Sequence, residues 1–207
     1  MRGWKTMALV VAAWLILVAI GCGASEGTTT SAASATTAPQ RTATADECDV
    51  YSALIQSVYI DATQPKQIVI SAVNADQNVN FGVAAGAIKS FWPDLGDDIV
   101  GDFKTKNKTS SALEHTFTLS VPYTLISEQE LASIFSITAD WDRFYAKYPD
   151  SKGLLTLSRV GFNRAKDTAV LYTEHQSGGT AGEGDVVLMK KTDGRWTVED
   201  KSMFRQS

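Results

Sequence analysis

Apolar residues fall into three successive patterns along the chain. An unbroken apolar run covers residues 7–20, and a stretch without periodic apolar positions follows as far as residue 45. From residue 46 onward, apolar residues recur with helical or strand spacing to the end of the chain. Because only this last part can bury apolar side chains against one another, the pattern predicts one folded domain over 46–207.

Helical spacing predicts three helices in this domain. The first covers 48–60 and starts from Asp46 as its N-cap. Ser127 and Glu130 have the spacing of a capping box and begin the second helix, and Asp140 caps the third. Two intervening segments stay undecided between helix and irregular structure: 82–92 and 97–107.

Alternating apolar residues predict that the last third of the chain is β-structure. Asp193 and Gly194 stand between two alternating segments and favour the positive φ angles of a tight hairpin turn. The glycine-rich segment 178–184 is expected to be a mobile link between two further strands. The predicted fold class is α+β, a single domain in which a C-terminal four-stranded antiparallel meander packs against helices. Its strands are predicted over 154–162, 168–175, 185–191 and 195–200, and two earlier strands over 67–73 and 115–121.

The first 22 residues have the organisation of an export signal. Two basic residues precede the apolar run, which at 14 residues is short for a membrane-spanning helix, and Gly21 and Cys22 follow it. The letters VAIGC, which end at Cys22, resemble the lipobox of bacterial lipoproteins. The resemblance implies that residues 1–21 are a signal peptide removed before Cys22, and that the Cys22 sulfur carries a diacylglyceryl group. A plain secretory signal and an uncleaved anchor helix are the alternatives.

Residues 22–45 are predicted to be a flexible tether. They are rich in Ser, Thr and Ala and cannot bury enough apolar surface to offset the entropy of ordering. The tether would hold the domain clear of the membrane to which the lipid on Cys22 attaches it. The expected location is therefore the cell membrane or outer envelope, with the domain facing outside the cytoplasm.

Charge and cysteine content exclude two classes of protein. The formal net charge is −4, and an acidic surface repels phosphate backbones, so no nucleic-acid partner is expected. Cys22 and Cys48 are the two cysteines, so a lipid on Cys22 leaves no disulfide framework. Carboxylates flank Cys48 on both sides, which disfavours a thiolate and favours a half-buried structural thiol.

The C-terminal part of the chain also resembles a pattern found in uncharacterised exported proteins of bacteria. The shared features are the aromatic helix end FYAKYPD, the letters SRVGFN, a glycine-rich turn and a Gly-x-Trp hairpin. They cover about residues 141–200, less than a third of the chain. The resemblance implies a domain and no activity.

Two residues stand out as candidates for chemistry, Arg159 and His175. Arg159 lies in a predicted strand among apolar residues, where it would either pair with a buried carboxylate such as Asp142 or Glu174 or present its guanidinium to an anionic ligand. His175 ends a predicted strand and would bind zinc only if it met His115 across the sheet. Exposed strand-end histidines are the simpler interpretation.

The sequence carries no nucleophile elbow around Ser158 and no cofactor motif. We therefore expect a non-catalytic binding or envelope-associated interaction module whose partner is a protein or a small molecule, with no cofactor. The alternative is an extracytoplasmic hydrolase-like enzyme with a site near Arg159 and His175.

Overall fold

A computed structural model describes most of the predicted domain. It covers residues 43–75, 81–114, 117–136 and 140–206. The predicted signal peptide, Cys22, most of the predicted tether and His115 lie outside these ranges. Within them, no helix has both the length and the apolar character needed to cross a bilayer.

The described helices all precede residue 148. The α-helices are α1 (Ala45–Leu54), α2 (Asp61–Thr63), α3 (Phe81–Phe91), α4 (Asp97–Lys106), α5 (Glu128–Phe135) and α6 (Trp141–Lys147). A π-helical stretch over Ile55–Ile60 continues α1 directly and leads into α2.

The described strands form one mixed sheet of seven strands. They are β1 (Ile68–Ser71), β2 (Tyr123–Ile126), β3 (Leu154–Leu157), β4 (Gly161–Phe162), β5 (Thr168–Gly178), β6 (Ala181–Thr192) and β7 (Arg195–Gln206). The strand order is β2-β1-β3-β5-β6-β7, and the short β4 also pairs with β5. Strands β2 and β3 pair in parallel with β1, whereas all pairings among β3 to β7 are antiparallel.

The α+β class predicted from the sequence is confirmed, but the sheet is larger than a four-stranded meander and has a parallel part. Parallel neighbours are joined by long crossovers that leave no turn signal in the sequence, which is why this part was missed.

Helices cover both faces of the sheet. Along β5, Ala169 and Leu171 pack against α1 and the π-helix, while Val170 and Tyr172 pack against α3 and α4. This alternation follows from the two-residue period of a strand. A third apolar cluster joins α5 and α6 to β1 and β2. Strand β5 is therefore buried on both faces for most of its length, and its last four residues are partly exposed.

Three sequence predictions differ from the structure. The strand expected over 115–121 is absent from its described part, 117–121, because backbone N–H groups there bond to side chains of α1 and the π-helix: Thr118 N to Ser52 Oγ and Ser120 N to Gln56 Oε1, both at 3.0 Å. The first helix is capped by Thr44 rather than Asp46. The link expected over 178–184 is mostly strand, since β5 and β6 meet at a turn of two residues.

Candidate functional site

Arg159 lies in the short break between β3 and β4 and is buried in a bidentate ion pair. Its Nε and one terminal nitrogen each donate to a different carboxylate oxygen of Glu47, both at 2.7 Å. The partner is thus Glu47 at the start of α1, and neither Asp142 nor Glu174, the two carboxylates named from the sequence. A planar guanidinium bonded in this way is fully oriented by its partner.

Glu47 joins the start of α1 to the sheet. Its carboxylate also accepts from Thr44 N at 2.8 Å, which completes a capping box, and from Val160 N at 3.1 Å. Burial acts to raise the pKa of Glu47, but the hydrogen bonds from Arg159 and from the N–H groups of Thr44 and Val160, with the charge of Arg159, outweigh it and hold that pKa below its usual value. The Glu47 hydrogen bond in turn raises the pKa of Arg159. Both side chains therefore stay charged, and the ion pair has a structural role.

Arg159 and His175 do not share a site. Arg159 contacts Glu47 and Ser111 on the α1 side of the break after β3. His175 pairs across the sheet with Leu155 and contacts the π-helix and the segment before β3. Ser158 bridges β3 and β5, since its Oγ accepts from Tyr172 N at 2.8 Å. None of these contacts places a nucleophile next to His175.

His175 lines a cavity of about 240 Å³ between the π-helix and the sheet, here called the Tyr59 cavity. That volume is equivalent to about eight water molecules in the liquid. Apolar side chains from four elements form most of the wall, and a few polar groups converge on one side, which is the usual construction of a small-ligand pocket. The lining residues that matter most are Val58, Tyr59, Ile68, Leu155, His175 and Lys201.

The polar side of the cavity is built by register between two strands. His175 lies directly opposite Glu183, and two residues further along each strand Thr173 lies opposite Asp185. Residues two apart on a strand share a face, so these four side chains form a square on the sheet surface. Lys201 from β7 reaches across it, with Nζ at 2.8 Å from Asp185 Oδ2 and 3.8 Å from Glu183 Oε1.

His175 is held in one tautomer. Its Nε2 lies 3.0 Å from the carbonyl oxygen of Lys152, which can only accept, so Nε2 carries the proton. Burial lowers the pKa of His175, so the ring is neutral at neutral pH and its Nδ1 is an acceptor. Gly153 makes this approach possible: its φ is +130°, and a Cβ there would lie 2.2 Å from the Gln176 carbonyl oxygen and 3.0 Å from His175 Nε2.

Tyr59 closes the cavity from the π-helix. Its hydroxyl lies 2.8 Å from Thr173 Oγ1, and its ring centroid is 5.6 Å from that of His175. Burial raises the pKa of Tyr59 above its usual value, so the phenol stays neutral. π-Helical turns are rare and occur often at functional sites, because the extra residue in the turn shifts side chains out of ordinary helical register.

Sequence reasoning found one member of this site, His175, and missed the others. One signal in the sequence could have revealed another part of the site: two acidic residues, Glu183 and Asp185, stand two positions apart just before the apolar run of β6. That spacing puts both carboxylates on the same face as the core residues of the strand. Tyr59 and Lys201 carry no such signal, because they belong to elements far apart in the chain and no short motif relates them to His175.

The arrangement supplies hydrogen-bond acceptors and the ammonium group of Lys201 to a mostly apolar cavity. Across the described ranges, no group of three or more His, Cys, Asp or Glu residues is placed to hold a metal ion. Cys48 is buried in the core on α1. The polar groups and the apolar wall of the Tyr59 cavity are thus suited to binding and orienting a ligand.

Comparisons of the chain with protein-family models, with curated proteins and with solved structures find no match.

Proposed function

We propose that the protein is a lipid-anchored, extracytoplasmic binding protein that holds one small, largely apolar ligand in the Tyr59 cavity. The observation that carries the proposal is the cavity itself, which has an apolar wall and convergent polar groups held in fixed geometry by Thr173 and Lys152. The export signal and the lipobox-like letters before Cys22 support the location.

Binding is favoured over hydrolysis by the state of the groups around His175. A hydrolase would need a nucleophile within hydrogen-bond reach of the imidazole. The ring of Tyr59 contacts His175, and its hydroxyl is bonded to Thr173 and has a pKa that burial raises. A neutral phenol with a raised pKa is a poor nucleophile. The hydrolase alternative also required Arg159 near His175, but Arg159 is bonded to Glu47 and does not lie in this site.

Native mass spectrometry of the full-length protein, extracted from bacterial membranes in mild detergent, tests the proposal. The wild-type protein should carry a small-molecule adduct that is lost on denaturation. Ala62→Trp, at an exposed position on the cavity rim, should remove the adduct because the indole fills the entrance. Ala132→Trp, at an exposed position on α5, is the matched control and should retain it. No adduct on the wild type, or an adduct unchanged by Ala62→Trp, would refute binding in this cavity.

A further inference from the structure

A second cavity lies on the opposite face of the sheet from the Tyr59 cavity. Successive residues of a strand alternate between the two faces, so Glu174 points away from the side that His175 faces. The second cavity, here called the Glu174 cavity, has a volume of about 370 Å³, within the range of about 300–1,000 Å³ that is typical of small-ligand sites. Its lining includes Val73, Leu131, Thr156, Glu174, Gln176 and Arg205.

The polar floor of this cavity interrupts an apolar sheet face. Thr156 and Glu174 lie directly opposite each other on β3 and β5. On the same face, Leu154 belongs to the apolar cluster of α5 and α6, and Tyr172 belongs to the cluster of α3 and α4. The two polar side chains therefore lie between two apolar clusters, where apolar residues would otherwise be expected.

Arg205 extends the floor from β7. It lies opposite Gly184 on β6, and Gly184 lies opposite Glu174 on β5. Because the middle residue of this row has no side chain, Arg205 reaches across it, with one terminal nitrogen 3.5 Å from Glu174 Oε1. A Cβ at Gly184 would overlap the hydroxyl of Tyr172. The row thus brings a guanidinium and a carboxylate side by side on the cavity floor.

The floor keeps hydrogen-bonding capacity that the described residues do not use. Glu174 is 7% exposed; its Oε1 accepts from Gln176 Nε2 at 2.9 Å, but its Oε2 has only a long bond, 3.4 Å from the Tyr172 hydroxyl. Within the described ranges, the guanidinium of Arg205 makes just the 3.5 Å contact, and the Thr156 hydroxyl has no partner. The floor therefore offers both donors and acceptors to a ligand.

The contact between opposite charges favours a neutral ligand. A full charge of either sign that pairs with one member of the Glu174–Arg205 pair meets a like charge on the other. The carboxylate of Glu128, which also lines the cavity, further disfavours an anion. A hydroxyl group is neutral and both donates and accepts, so neighbouring hydroxyls can donate to the carboxylate and accept from the guanidinium.

We propose that the Glu174 cavity binds a neutral polyhydroxylated ligand of monosaccharide size, whose hydroxyl groups bond to Glu174, Arg205 and Thr156. Its C–H groups pack on Leu131 and Val73 at the wall. This site goes beyond the proposed function and does not depend on it, because the two cavities lie on opposite faces of the sheet.

The test uses the full-length chain in phosphatidylcholine nanodiscs with labelled Leu and Val methyl groups. The polyol probes are D-glucose, D-galactose, D-mannose and myo-inositol, and the charged probes are glycine, inorganic phosphate and methylammonium. NMR signals of Leu131 and Val73 report on the Glu174 cavity, and those of Val58 report on the Tyr59 cavity. At least one polyol should shift Leu131 and Val73 but not Val58, with a Kd of about 1 mM, and each charged probe should bind about tenfold more weakly or not at all.

Two variants assign the binding to the polar floor. Thr156→Val keeps the shape of the side chain and removes a hydroxyl without a partner, so it should fold and weaken the polyol about three- to tenfold. Arg205→Lys keeps the charge beside Glu174 and removes the planar fork, and it should weaken the polyol about tenfold. The matched control is Thr124→Val on β2, which lies on the same sheet face outside the cavity lining and should leave the affinity unchanged.

Three results would overturn the proposal. One is the absence of Leu131 and Val73 shifts with every polyol at concentrations up to about 20 mM, well above the expected Kd. Another is tighter binding of glycine, phosphate or methylammonium than of any polyol, which would assign the cavity to a charged ligand. The third is an equal loss of affinity in Thr156→Val and Thr124→Val. None of these results bears on the Tyr59 cavity, whose ligand is tested separately.

Discussion

Replacing Arg159 by methionine removes the guanidinium and leaves the carboxylate of Glu47 buried without a countercharge. Glu47 is 0% exposed and Arg159 is 5% exposed, so water cannot reach the orphaned charge without opening the start of α1. The backbone N–H groups of Thr44 and Val160 would still donate to it, but they cannot neutralise it. The variant is therefore expected to be much less stable than the wild type.

Breaking a buried ion pair from one side costs about 3–5 kcal/mol. A domain of this size has about 5–15 kcal/mol of unfolding free energy, so the variant should fold with a small margin. At about 2–4 °C per kcal/mol, the midpoint of thermal unfolding should fall by about 6–20 °C. The double variant Glu47→Leu/Arg159→Met should lose less than the sum of the single variants, because no lone charge is left buried.

Urea unfolding followed by circular dichroism gives the free energies by linear extrapolation. The matched control is Asp46→Asn, which breaks the exposed ion pair between Asp46 and Lys166 one residue before Glu47. The control should change stability little, because exposed pairs are screened by water. If Arg159→Met costs no more than Asp46→Asn, the buried ion pair does not stabilise the fold.

Three further outcomes follow from the site and from the proposed export signal. Burial lowers the pKa of His175, so the unfolded chain binds a proton more readily than the folded one. The contribution of His175 to the free energy of unfolding should be fully present above about pH 6.5 and decrease as the pH falls below that value. His175→Gln should reduce this pH dependence, which is measured as the urea midpoint at a series of pH values. Gly153→Ala should destabilise the domain and shift the His175 ring signals in NMR, because φ is +130° and the new Cβ meets the Gln176 carbonyl oxygen; an unchanged spectrum would contradict the close approach. Cys22→Ser should abolish incorporation of labelled fatty acid and release the protein from membranes, whereas retained label would rule out Cys22 as the lipid site.

Local signals in the sequence predicted local structure well. Ser127 and Asp140 accept from backbone N–H groups three residues later, as their capping positions implied. Asp193 and Gly194 both have positive φ angles and form the turn between β6 and β7. Each of these features depends on a few neighbouring residues, so the sequence contains all the information that decides it.

Contacts between residues far apart in the chain could not be predicted from such local signals. The sequence suggests Asp142 or Glu174 as the partner of Arg159, but the partner is Glu47, 112 residues away along the chain. The π-helix was read as ordinary helix, because one extra residue per turn changes the apolar spacing too little to be seen over six residues. In the same way, the square of side chains beneath Tyr59 depends on the register between β5 and β6, which no short motif encodes.

The distance of 112 residues between Glu47 and Arg159 also sets an order of events during synthesis. At about 5–20 residues per second, Arg159 is added about 6–22 s after Glu47. A ten-residue helix is marginal in water on its own, so α1 lacks the buried ion pair that fixes its start until Arg159 has been made. The hairpins of β5 to β7 have short-range contacts and can form as soon as they are made. If the chain is exported, its leading end would cross the membrane while still unfolded, and the last-made strands would complete the core.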